Sequence, residues 1–209
     1  INFVFMILVN TICMSGGIFI SQFKGAGDRE GMQQSFRFKI IFTGLCGIAY
    51  MTVCFIAPRG LFNVMVTINK DADAIITQSV LYSRAAAVSW LLMCMSQSIA
   101  SSLREIELVK APLVISVIAT LVNTFFNFIL IYGHFGAPRL EVAGAAYATV
   151  IARSVELILF IGYSLAKRPG FLFNPLKLLY IKLSLFGTLF RKSAMILYSE
   201  LFWAVSETV

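Results

Sequence analysis

The chain is poor in charge. Only 13% of its 209 residues are Asp, Glu, Lys or Arg, where soluble domains carry roughly 25%. Histidine is nearly absent: the single His134 cannot build a metal centre by itself. Cys13, Cys46, Cys54 and Cys94 are scattered with no CxxC pair, which argues against a zinc site or a disulfide framework and leaves them as small packing residues. Gly25, Gly27 and Gly31 lie near Lys24 but lack a GK[ST] tail, so they do not form a phosphate-cradling loop. With one His and no clustered acids, the acid–base pair, nucleophile or metal set of an integral-membrane enzyme is missing, and the chain reads as a non-enzyme. No basic leader or small-residue cleavage site accompanies the first apolar run, so that run is not a signal peptide.

Apolar length is what the chain has. Hydrophobic residues make up 59% and mean hydropathy is +0.86. Six segments, near 1–21, 37–58, 78–101, 112–133, 142–166 and 187–209, reach the roughly 20 residues that a bilayer-spanning helix needs. A soluble bundle would need polar outer helices to cover these six, and the sequence has none. The expected fold class is therefore all-α integral membrane. All five prolines, at 58, 112, 138, 169 and 175, fall at span ends or in connections, where a missing backbone donor costs least. Ile1 and Val209 both sit inside apolar runs, so the expectation is a piece of a longer polytopic protein whose remainder is a partner of this part.

Charge placement predicts topology. Twelve of the seventeen Lys and Arg residues fall in loops 22–36 and 102–111, at their edges, or in and around segment 167–186. Cytoplasmic loops are enriched in these residues, so those three are expected to face the cytoplasm of a multi-pass protein in the inner (plasma) membrane. Basic residues interleaved with spans make no nucleic-acid surface. Gly25 and Gly27 are expected to permit the reversal near residue 25, with Asp28 capping the helix that follows. Segment 167–186 alternates basic and large apolar residues and reads as an amphipathic linker on the inner leaflet.

Polar residues inside the spans are the candidate site. An ionisable side chain at mid-membrane costs roughly 2.5–3.5 kcal/mol on insertion scales. Glu200 lies nine residues beyond Arg191, on the order of 13 Å along a helix, with no basic residue within a turn. Such a carboxylate is protonated, holds a cation or faces water; hydrogen bonding to a neighbouring helix is the alternative. Asn123 and Asn127, at i and i+4, point the same way, suited either to a hard cation or substrate or to interhelical bonds of about 0.6 kcal/mol. Arg153 and Glu156, at i and i+3, can pair along their helix, which favours a structural or gating role. Gly144, Ala145, Ala146, Ala148 and Ala152 make that helix a close-packing surface. Gln22 and Gln97, near inner span ends, are gate candidates, and Glu207 carries no assigned role.

Four stretches, "GIFISQFKGAGDREGMQQSFRFK", "SIASSLREIELVKAPL", "NTFFNFILIYGHFGAPRLEVAGAAYATVIAR" and "SELFWAVSE", in that order, resemble the multidrug and toxic compound extrusion (MATE) family. The resemblance implies a twelve-helix, two-lobe transporter. Residues 1–166 would be the first lobe without its first helix, 167–186 the inter-lobe linker, and 187–209 the first helix of the second lobe. It implies a Na+- or H+-coupled antiporter for small amphipathic or cationic compounds, with no cofactor beyond the coupling ion. Glu200 matches the acid of the sodium-driven branch, making it the expected Na+ position. One branch has aspartate where Asn127 stands, which weakens the proton-coupled reading here. The related lipid-linked oligosaccharide or lipid flippases are the alternative, and they would be expected to line their cavity with basic residues.

Overall fold

The computed structural model describes the backbone of residues 2–56, 72–136, 140–172 and 183–208, and the side chains within them except at 2–4, 72–83, 85, 86, 136, 141, 142, 183, 184, 197 and 200–208. The described residues form six α-helices: α1 (Asn2–Gly25), α2 (Arg29–Ile56), α3 (Ala72–Glu105), α4 (Lys110–Tyr132), α5 (Glu141–Lys167) and α6 (Leu183–Thr208). A 3-10 turn at His134–Gly136 follows α4. Phe5–Gly25, Arg29–Ile56, Lys110–Tyr132 and Ala143–Lys167 are long and apolar enough to cross a membrane, counting described residues alone.

The first connection is much shorter than the loop expected over 22–36. Helix continues through Gly25, and only residues 26–28 turn. The Asp28 amide donates to Phe23 O (2.9 Å) and the Gly27 amide to Lys24 O (3.1 Å), the paired bonds that close a helix C-terminus around a left-handed residue. That residue is Gly27, at φ +69°. Asp28 Oδ1 then accepts the Gly31 amide (3.0 Å) and caps α2, as its position in the sequence predicts. A cap this far upstream adds two turns to α2 that hydropathy does not reveal.

Gly27→Ala is expected to destabilise by about 1–2 kcal/mol, because a Cβ opposes the left-handed conformation. Gly25→Ala, in helical backbone with nothing within 4 Å of the added carbon, is expected to stabilise by about 0.5–1 kcal/mol. Thermal unfolding in detergent should shift in opposite directions for the two.

The second expected loop, 102–111, likewise shrinks to residues 106–109. The Leu108 amide donates to Leu103 O and the Glu107 amide to Arg104 O, each at 2.9 Å. Here the left-handed residue is Glu107, at φ 71°, and its carboxylate meets Lys24 Nζ at 3.1 Å. After α5, residues 168–172 fold onto the added turns of α2. Phe171 is fully buried, its ring 4.7 Å from that of Phe36, and Gln33 Nε2 donates to Leu172 O (3.1 Å). The amphipathic linker expected over 167–186 falls outside the described residues at 173–182.

Two compact units divide the chain, and their boundaries fall inside helices. One comprises 1–46, 94–112 and 160–209; the other comprises 47–93 and 113–159. In the first, α1 packs along α6. Phe19, Phe38 and Leu189 form its core with Ile12, Phe23, Phe42, Leu185 and Phe186 around them, and Ser15 Oγ meets Ser193 Oγ at 2.5 Å. Cys13 and Cys94 pack with Val9, and Cys46 lies against them, all as free thiols. In the second unit Tyr50 and Trp90 rings lie 4.7 Å apart, and Gly144 of α5 sits directly on the backbone of Leu130 of α4.

Candidate functional site, a polar cleft between two apolar helices

Helix α4 carries one polar stripe on an apolar cylinder. Ser116, Thr120, Asn123 and Asn127 recur at intervals of four, three and four residues, which keeps them on one side of a 3.6-residue helix. Helix α5 answers with Thr149, Arg153 and Glu156 at intervals of four and three. Close approach of the two helices depends on small residues. Ala146 and Ala148 are fully buried and Ala152 nearly so, which agrees with the small-residue packing surface expected of α5.

The stripes meet in a cleft of about 410 Å³ lined by Ser116, Ala119, Thr120, Asn123, Thr149, Ala152, Arg153 and Glu156. Arg153 Nη1 donates to Glu156 Oε2 at 2.6 Å. Asn127 Nδ2 donates to Asn123 Oδ1 at 2.9 Å, so the two amides, expected to point the same way, bond to each other along α4 rather than across helices. Asn127 Oδ1 is buried and has no hydrogen-bond partner. Thr120 Oγ1 donates to Ser116 O and Thr149 Oγ1 to Ala145 O, each at 2.9 Å. Each threonine thus spends its proton on its own helix and keeps oxygen lone pairs available. Among the described residues no group of three or more His, Cys, Asp and Glu could hold a metal ion. Among the described residues the cleft therefore offers one carboxylate and several neutral oxygens, a donor set weak for divalent ions and suited to hard monovalent cations or hydrogen-bonding solutes.

Of the expected site residues, Asn123, Arg153 and Glu156 line this cleft, and Asn127 joins through the hydrogen bond that its side-chain amide donates to Asn123. Gln22 and Gln97 belong to the other compact unit. Gln22 is exposed, and Gln97 Nε2 makes a long 3.4 Å contact to Asn10 Oδ1. Glu200 and Glu207 lie on α6, and their side chains fall outside the described residues. Ser116, Thr120 and Thr149 were legible as continuations of the Asn and Arg–Glu spacings but carry no charge to draw attention. His134 stacks on the Phe128 ring at 4.3 Å between centroids.

A second polar cluster corrects the charge map. Arg37 and Lys39, two of the twelve basic residues counted in or at the edges of the cytoplasmic loops, are buried within α2, Lys39 completely. Lys39 Nζ donates to Ser102 Oγ at 2.9 Å, and Ser21 Oγ donates to Glu105 Oε2 at 2.7 Å. Gly16 and Gly17 of α1 admit these side chains: a Cβ would come within 2.7 Å of Lys39 Cδ at the first and 2.6 Å of Glu105 Oε1 at the second. Thr43 Oγ1 and Ser98 Oγ continue the polar contact between α2 and α3 at 2.7 Å. The two added turns of α2 explain the correction, since they carry Arg37 and Lys39 away from the turn and into the packed helices.

The family model MatE matches residues 1–129. The chain is 25% identical over 181 residues to the probable multidrug resistance protein YoeA of Bacillus subtilis, covering 86% of this chain and 38% of that protein. It is 28% identical over 144 residues to the multidrug resistance protein NorM of Vibrio cholerae, covering 69% of this chain and 30% of that one. The chain thus spans about a third of the length of these curated relatives. The fold resembles an inward-facing multidrug resistance MATE family transporter of the MOP superfamily with a TM-score of 0.69, at 19% identity, over 93% of this chain and 45% of that one. The match over more than half its length shows that this chain belongs to the MatE family, the multidrug and toxic compound extrusion family that its four motifs resemble.

Proposed function

We propose that the complete protein carrying this chain is a Na+- or H+-coupled antiporter that exports amphipathic, often cationic, drugs and toxic compounds across the cytoplasmic membrane. The observation that carries the reading is the polar cleft between α4 and α5. Both helices are long and apolar enough to span a bilayer, and polar groups gathered in such segments are costly unless they serve a pathway for ions or solutes. The names of the relatives, multidrug resistance proteins of two bacteria, support the substrate class. A flippase for an anionic lipid-linked substrate would call for a basic wall, whereas the one cation among the described residues of the cleft, Arg153, is paired with Glu156.

In this scheme Glu200 and the cleft are sites whose occupation by ion and by drug is mutually unfavourable. Binding one favours release of the other as the protein alternates between inward-open and outward-open states. The turns at 26–28 and 106–109 are assigned to the cytoplasmic side. The test is ethidium efflux from cells producing the complete protein, compared at equal membrane abundance with Asn123→Ala and Glu200→Gln. Both variants are expected to lose at least roughly tenfold in rate, about 1.4 kcal/mol in barrier terms. Efflux at the wild-type rate in both would remove these residues from the transport path.

A further inference from the structure

The Arg153–Glu156 pair has a geometry that a purely structural ion pair does not need. Arg–carboxylate pairs that fix structure are frequently bidentate, with two parallel N–H···O bonds. Here a single bond joins Nη1 to Oε2 at 2.6 Å. Among the described residues neither side chain has another hydrogen-bond partner. The Glu156 side chain is 8% exposed, so its carboxylate is nearly sealed in the protein with Oε1 unbonded, while the Arg153 side chain is 39% exposed. The acid is thus held in place, and its cation has access to the open side of the cleft. Both line the same cavity as Asn123, Thr120 and Thr149, whose oxygens retain free lone pairs.

We propose that Arg153 is a built-in stand-in for the transported cation: its guanidinium neutralises Glu156 when no ion is present, and Na+ entering the cleft displaces it and takes Glu156 as a ligand. The inference rests on the antiporter reading above and specifies how its ion site is kept electrically balanced. A nearly buried carboxylate left without a cation would carry a large desolvation cost, so an empty site needs a substitute charge. A monodentate pair with an exposed arginine supplies one that can leave. Arg153 swings toward the cleft mouth when displaced, so ion binding there changes both the charge and the shape that a cationic solute meets.

Displacement predicts opposite effects of the two partners on ion affinity, whereas a pair that acts on stability alone would leave the ion midpoint unchanged. The experiment uses the purified complete protein in detergent and reads the Na+ concentration that gives half of the full thermal stabilisation. Removing the competitor with Arg153→Gln is expected to lower that midpoint roughly tenfold, and removing the ligand with Glu156→Gln to raise it by roughly tenfold or more. Arg153→Lys, which keeps a mobile cation, is expected to remain within about threefold of wild type and serves as the well-folded control. Equal losses of melting temperature in both Gln variants with an unchanged Na+ midpoint would make the pair structural and overturn the proposal. If the wild type shows Na+-dependent efflux while Arg153→Gln raises the midpoint, the displacement idea falls and the antiporter reading stands. A wild type with neither Na+-dependent stabilisation nor cation-dependent efflux overturns both.

Discussion

Gly144→Val is expected to unfold the α4–α5 pair or force it apart, with a loss of at least about 3 kcal/mol, the upper end of overpacking costs. Even the first carbon of a side chain at residue 144 would lie 2.6 Å from Leu130 O, 2.7 Å from its carbonyl carbon and 3.1 Å from the Ile131 nitrogen. All three are backbone atoms of α4, so no rotamer change can make room. Relief requires the helices to separate by most of an ångström, and at close packing that forfeits contacts along the whole interface. The cleft that holds Asn123, Arg153 and Glu156 would be rebuilt at the same time, so the efflux proposed for the complete protein should fail together with stability. Gly162→Ala is the matched control. It lies on the same helix with nothing within 4 Å of the added carbon, and it should raise stability by about 0.5–1 kcal/mol through helix propensity alone. Thermal unfolding of the two variants in detergent checks the pair, and a Gly144→Val protein that melts with the wild type would refute the close approach.

Ser102→Ala is expected to cost more than Lys39→Met, although the second change removes a charge and the first only a hydroxyl. Among the described residues, Ser102 Oγ is the one hydrogen-bond partner of a completely buried ammonium. Its loss leaves that ammonium without a hydrogen-bond partner among the described residues, at about 1.5–3 kcal/mol for a charged hydrogen bond and more where no water can enter. Methionine at 39 keeps a similar volume and removes the charge with its desolvation cost, so Lys39→Met should fall within about 1 kcal/mol of wild type or above it. The double variant should unfold near Lys39→Met alone, because the serine then has no cation to satisfy. Melting temperatures of the three proteins decide the order. If Lys39→Met proves the more damaging, the ammonium contributes more to this cluster than its single bond implies.

Much of the molecule was legible without coordinates. Low charge, long apolar runs and prolines confined to their ends specify membrane helices, because a bilayer accepts only segments that satisfy their own backbone. The Asp28 cap, the Arg153–Glu156 pair and the small face of α5 follow from spacing, since residues three and four apart on a helix must be neighbours. Lys39 shows the limit. From hydropathy it belonged with the loop charges, yet a cap eleven residues upstream draws it into the packed helices, and one residue's burial is set by where its helix starts and what lies across from it.

The amino-acid order therefore determined which segments are helical and apolar, and which side chains are neighbours along one helix, because both are set by local periodicity and solvation. Which stripes face each other was decided only in three dimensions. Asn123 and Glu156 lie 33 positions apart in the chain, and they line one cleft because Gly144 lets two backbones touch. Lys39 meets Ser102 where Gly16 and Gly17 make room for the side chains beside them. Pairings of that kind depend on shape complementarity between separate helices, which no periodicity within either helix encodes.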